Sequence, residues 1–83
     1  MKVKYGLVTV HSVAKTTAIY KICIEEEFKN SDKVRISYIN ILAGDHIRDK
    51  RIICKLDDIE GITEKTLTKW QTFLYRYFGS RNF

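Results

Sequence analysis

Proline is absent, glycine occurs four times, and cysteine and histidine occur twice each in a chain of 83 residues. The missing proline and scarce glycine argue against a linker, a disordered tail or a low-complexity segment. No apolar run reaches about eighteen residues, and no basic-then-apolar leader ends in small residues. Neither a membrane span nor a cleaved secretion signal is therefore indicated, and the cytoplasm is the expected compartment. Cys23 and Cys54 lie in apolar, strand-like stretches without CxxC or Cys/His ligand spacing. That pattern reads as buried free thiols rather than a metal site. No internal repeat is visible. A single domain over residues 1–83 is expected, with one small core, because a chain this short buries only ~60% of its unfolded surface.

Acid is missing from both ends. Residues 1–24 hold Lys2, Lys4, Lys15 and Lys21, and residues 65–83 hold Lys65, Lys69, Arg76 and Arg81, with no carboxylate in either stretch. All ten acids fall between, against seven cations, which leaves a net charge of +5. If the two ends meet in space, they form one positive region.

What is present is alternation. Tyr20, Ile22 and Ile24 recur at every second position, as do Val34, Ile36 and Tyr38, with Leu42 further along, after the turn-like "KNSD". A three-residue loop over 29–31 pairs Ile24 with Ile36 and Ile22 with Tyr38 on one face, and Glu25 with Arg35 and Glu27 with Lys33 on the other. The preceding segment "VKYGLVTVHSV" pairs likewise if residues 14–16 turn, which sets Val10 against Tyr20, Val8 against Ile22, and Lys4 against Glu26. The consecutive Glu25, Glu26 and Glu27 thus read as the wet side of a hairpin rather than an acidic site. A fourth strand over "RDKRIICKL" places Ile52, Cys54 and Leu56 on one side, and "DDIEG" reads as a loop. The segment 63–78, "TEKTLTKWQTFLYRYF", carries Leu67, Trp70, Leu74, Tyr77 and Phe78 at helical spacing, with Thr63 as N-cap and Gly79 as stop.

These elements predict an α+β fold: an antiparallel β-meander of about four strands packed against one C-terminal amphipathic helix. The helix is expected to cover the even-numbered face. The odd face then keeps Leu7, Ile19, Cys23, Ile39 and Ile41 alongside its charges. Either the sheet curls into a partial barrel, or this patch meets a partner or a second copy of the chain.

Catalytic motifs are also missing. There is no Gly-rich phosphate loop, HExxH, nucleophile elbow or EF-hand loop, and the two histidines, His11 and His46, sit in no recognisable motif. A paired-histidine ribonuclease would need the first hairpin to approach the loop holding His46. Asp45, His46 and Asp49 are the nearest approach to a metal cluster, and lone side chains in a basic turn argue weakly for one. No enzyme, cofactor, metal or small-molecule substrate is expected.

Binding fits better. Lys65, Lys69 and Arg76 follow one stripe of the expected helix, and Arg48, Lys50 and Arg51 add cations that can grip phosphate. Phe73, Tyr75, Tyr5 and Phe83 supply rings that serve equally as base-stacking platforms or protein anchors. The expected function is a small, non-catalytic, basic protein that contacts nucleic acid or a nucleic-acid-handling protein. The alternative is a protein-interaction module or inhibitor acting through Leu7, Ile39 and Ile41 on the apolar sheet face, alone or as a homodimer. The chain's small size and its richness in lysine and isoleucine also give it the texture of phage or mobile-element proteins that inhibit a host component.

Overall fold

Alternating apolar residues do become strands. The structure, a computed structural model, describes residues 1–48 and 50–79. Strands β1 (Lys2–His11), β2 (Thr17–Glu27), β3 (Lys33–Gly44), β4 (Ile53–Lys55) and β5 (Glu60–Thr66) precede one helix, α1 (Lys69–Phe78), and a 3-10 turn at Leu56–Asp58 links β4 to β5. The strands form one antiparallel sheet in the order β4-β3-β2-β1-β5. The α+β class stands, with five strands rather than four.

The fifth strand is the main correction. Residues 63–66 were expected to open the helix, yet they pair with β1, Lys2 facing Thr66 and Tyr5 facing Thr63. Pairing there supplies hydrogen-bond partners to an edge of β1 that would otherwise have none, which outweighs a helical pattern in a threonine-rich segment. The helix starts instead at Lys69. Thr68 caps it: its hydroxyl accepts from the Gln71 amide at 3.2 Å, and its own amide donates to Gln71 Oε1 at 3.1 Å.

Register is correct in parity between β1 and β2 and over residues 22–24 of β2, but the expected β2–β3 register is lost beyond the bulges. Ile24 faces Ile36 and Ile22 faces Tyr38 as expected, but β1 and β2 are offset by two residues, with Val8 opposite Tyr20 and Val10 opposite Ala18. The offset comes from a longer turn over 12–16. There the Ser12 and Thr16 hydroxyls lie 2.6 Å apart, and Lys15 adopts a left-handed φ of 63°. A shift of two keeps every side chain on its face. Three irregularities between β2 and β3 leave Glu25, Ile39 and Leu42 without a register partner. Such bulges bend and twist a sheet.

That bending decides the core. The two edges of the sheet, β4 and β5, are joined only by the 3-10 turn and Ile59. Four strand spacings span ~19 Å in a flat sheet, whereas this link reaches only ~10–13 Å. The sheet therefore curls on itself, although its hydrogen-bond ladder does not close. Its concave side gathers Val8, Tyr20, Ile22, Ile24, Val34 and Ile36, joined by Ile47 and Ile59. Gly6 leaves the space for Ile59: a Cβ there would collide with the Ile59 Cγ2 methyl.

The helix consequently covers the other face. Val3, Tyr5, Cys23 and Leu67 form a second buried cluster, against which Ile39 and Tyr75 pack. The expectation that α1 would cap the even face is overturned, because curling already closes that face. Cys23 is a buried free thiol and Cys54 a half-buried one.

Candidate functional site

Helix α1 buries none of its residues. Its hold on the sheet runs through Tyr75, whose hydroxyl donates to Glu25 Oε2 at 2.7 Å. Glu25 is available because it is the bulged residue of β2, and its other oxygen accepts from the Ser37 hydroxyl at 2.5 Å. The nearby carboxylate and burial both oppose phenolate formation, so the Tyr75 hydroxyl ionises well above the ordinary tyrosine range, with burial the larger cause. Burial likewise pushes the Cys23 thiol up. All three glutamates have structural partners: Glu26 pairs with Arg35 at 3.5 Å and Glu27 with Lys4 at 3.2 Å. The partners differ from the expected ones because the bulge at Glu25 moves Arg35 opposite Glu26.

With Tyr75 turned inward, the rest of the helix shows aromatic rings to solvent. Trp70 is 67% exposed, Phe73 45%, Tyr77 72% and Phe78 63%. Trp70 and Phe73 stack nearly parallel with centroids 5.5 Å apart, and Phe73 meets Tyr77 at 4.6 Å. Positions 70, 73 and 77 share one side of a helix, so these rings form a continuous ladder. Trp70, Tyr77 and Phe78 were expected to cover the sheet. The sequence did carry a warning: this segment is aromatic on more sides than a single buried face requires.

The candidate basic residues scatter. Lys65 lies on β5, opposite Val3, and not on the helix. Lys69 and Arg76 alone remain on α1, seven residues apart and hence on a similar side, flanking the ladder. Lys50 sits over the rings of Tyr20 and Tyr38, at 5.1 and 5.0 Å from their centroids, where it contributes a cation–π contact. Arg48 and Arg51 are exposed, and the Arg51 carbonyl accepts from the Tyr38 hydroxyl at 2.7 Å. The two basic ends do meet, since β1 pairs with β5 and the Leu67 amide donates to the Met1 carbonyl at 2.8 Å. Lys2 is nevertheless matched by Glu64 at 3.4 Å, and Lys4 by Glu27. Arg81 and Phe83 lie outside the described residues.

The three apolar candidates do not form one patch. Ile39 packs toward the helix-side cluster, whereas Ile41 packs against the concave core, because the bulge at Ile39 reverses the alternation between them. Leu7 is half-buried between Lys21 on β2 and Glu60 on β5.

His11 and His46 share one end of the sheet. His11 pairs with Thr17, whose carbonyl accepts from the Asp45 amide. Two strand spacings, ~10 Å, still separate the backbones, and His46 lies edge-on to the Tyr20 ring at 6.2 Å. Asp49, the third member of the Asp45 and His46 group, lies outside the described residues. Among the described residues no three of His, Cys, Asp and Glu stand together as metal ligands, and no helix is long and apolar enough to cross a membrane.

No known protein family matches this chain, and neither a curated protein nor a solved structure matches it.

Proposed function

We propose that this is a binding protein that docks onto a partner protein through the aromatic side of α1. The observation that carries the reading is the stacked, solvent-facing ladder of Trp70, Phe73 and Tyr77. A monomer rarely leaves so many large rings in contact with water, and Trp, Tyr and Arg are the residue types that dominate binding energy at protein interfaces. An exposed helix presenting rings at positions 70, 73 and 77 suits insertion into an apolar groove. Stacked bases fit less well, because the rings already cover part of one another's faces. The absence of acid on α1, with Lys69 and Arg76 beside the ladder, favours a groove with an acidic rim over a second copy of the same helix.

The test is to replace Trp70, Phe73 and Tyr77 together by serine and place a photo-crosslinker at position 69 of both proteins in the source cells. A discrete protein adduct that disappears in the triple variant, while that variant remains folded at the temperature of the experiment, supports the reading. The same adduct in both proteins, or none in either, refutes it.

The meeting of the two basic ends favours a second reading, in which Lys65, Lys69 and Arg76 contact nucleic acid; Arg48, Lys50 and Arg51 belong to neither end and would have to contact it separately. Anisotropy titrations with random duplex and single-stranded oligonucleotides over a salt series separate the two. Each phosphate neutralised on duplex DNA steepens the log–log slope by ~0.9. No binding at low salt removes the second reading.

A further inference from the structure

The curled sheet leaves a seam where its ladder fails to close. Strand β5 accompanies β1 only as far as Leu7, so residues 8–11 of β1 have β2 on one side and no strand on the other among the described residues. Strand β4 is likewise paired on one side only, with β3. Both free edges face a single cleft of about 770 Å³. It is lined by four consecutive residues of β1, from Val8 to His11, and by all three of β4. Consecutive residues point alternately to opposite faces, so their joint presence means that the cleft meets each strand at its backbone edge.

We infer that this seam is a second binding site, which takes an extended peptide segment of a partner protein as an added β-strand. Unpaired strand edges offer alternating amide donors and carbonyl acceptors, and an incoming backbone satisfies them on both of its sides. Four residues of β1 correspond to ~13 Å of extended chain. The floor is apolar, with Val10, Ile36 and Cys54 available to the inward side chains of such a segment.

Charge gives the strand a direction. Asp57, Asp58 and Glu60 stand where the chain crosses from β4 to β5 and close one end of the seam, with Lys33 and Lys55 nearby. His11 and Arg51 mark the other end, where no acid is among the described residues that line the cleft, Asp45 lying beyond it against Thr17. A strand antiparallel to β1 begins at the His11 end and finishes at the acidic crossing. It should therefore carry an acidic side chain near its N-terminus, apolar residues at alternate positions, and a basic side chain near its C-terminus. This site is separate from the ladder on α1 and does not depend on it.

The probe is a blocked peptide, Glu-Val-Thr-Val-Thr-Lys, titrated into the isotopically labelled full chain and followed by amide NMR shifts and hydrogen exchange. The expected result is shifts and slowed exchange concentrated in residues 8–11 and 53–55. The charge-reversed peptide, Lys-Val-Thr-Val-Thr-Glu, should bind about fivefold more weakly, as should the original peptide to a D57K/D58K double variant. A version with alternate N-methyl amides should not bind. No change at these amides with millimolar peptide overturns the inference. So does equal binding of the N-methylated version, or concentration-dependent shifts at the same amides without peptide, which would assign the seam to a second copy of the chain. Shifts confined to α1 would bear on the ladder and likewise count against the seam.

Discussion

Two residues hold more of this structure than their size suggests. Gly6 has no side chain because Ile59 occupies the space a Cβ would need, and Ile59 is branched and buried, with little room to yield. Gly6→Ala should destabilise the protein by about 1–3 kcal/mol in urea unfolding, as overpacking of a filled core does. A wild-type midpoint in that variant would mean that Ile59 is not wedged against β1. Tyr75 is the other. Tyr75→Phe removes a donor to the Glu25 carboxylate and should cost about 1 kcal/mol. Tyr5 provides the contrast: its hydroxyl is buried with no hydrogen-bond partner among the described residues, so Tyr5→Phe should leave stability unchanged or raise it by about 1 kcal/mol. The pH dependence follows from the same groups. Folding raises the ionisation of Tyr75 above its ordinary value of 10.0, so its contribution is intact below pH 10.0 and is lost as pH rises beyond it. Tyr5, Tyr38, Cys23 and Cys54 shift in the same direction, each chiefly through burial. Stability should therefore fall on the alkaline side, and less steeply in Tyr75→Phe, which denaturation at a series of pH values will check.

At the scale of elements, α1 is the outlier. Strands β1, β2 and β3 each contribute buried side chains to the core, while α1 contributes none and is pinned near its C-terminal half by Tyr75. Its lone tryptophan is a direct reporter, because the chain contains only one. Trp70 emission should be that of a solvated indole, readily quenched by iodide, and should shift to the blue when a partner covers the ladder. A blue, unquenchable Trp70 in the isolated protein would mean that the ring is already buried, and the docking proposal would fall. Substituting Trp70, Phe73 and Tyr77 by serine should change stability by no more than about 1 kcal/mol, since surface changes away from buried groups are small. Unfolding of that variant would instead make the ladder structural.

For the molecule as a whole, two clusters back on to one sheet. The concave cluster closes by curvature, and the smaller one closes by a helix, with β2 contributing to both through Tyr20, Ile22 and Ile24 on one side and Cys23 on the other. Amides in the middle of β2 should therefore exchange only through global unfolding, while β5, whose residues are all exposed, and α1 exchange by local opening. Native-state hydrogen exchange measures this order directly. Protection of β5 equal to that of β2 would indicate that the edge is covered in solution.

Alternation in residues 18–24 and 34–38 was enough to establish a β2–β3 hairpin, its apolar pairs Ile24–Ile36 and Ile22–Tyr38 and the class of the fold, because side-chain parity is a local property of a strand. The partners of Glu26 and Glu27, the two-residue offset of β1 and the identity of β5 were not legible, because they depend on bulges and on which free edge a segment meets. The same holds for the surfaces proposed to bind. Trp70, Phe73 and Tyr77 are a helical stripe in sequence whether they face core or water. The seam beside residues 8–11 exists only because β5 stops pairing at Leu7 and the short crossing from β4 curls the sheet. Sequence by itself determined the period of β2, β3 and residues 69–78; tertiary structure decided that residues 60–66 pair as a strand and which face each segment shows, since that depends on contacts between residues far apart in the chain.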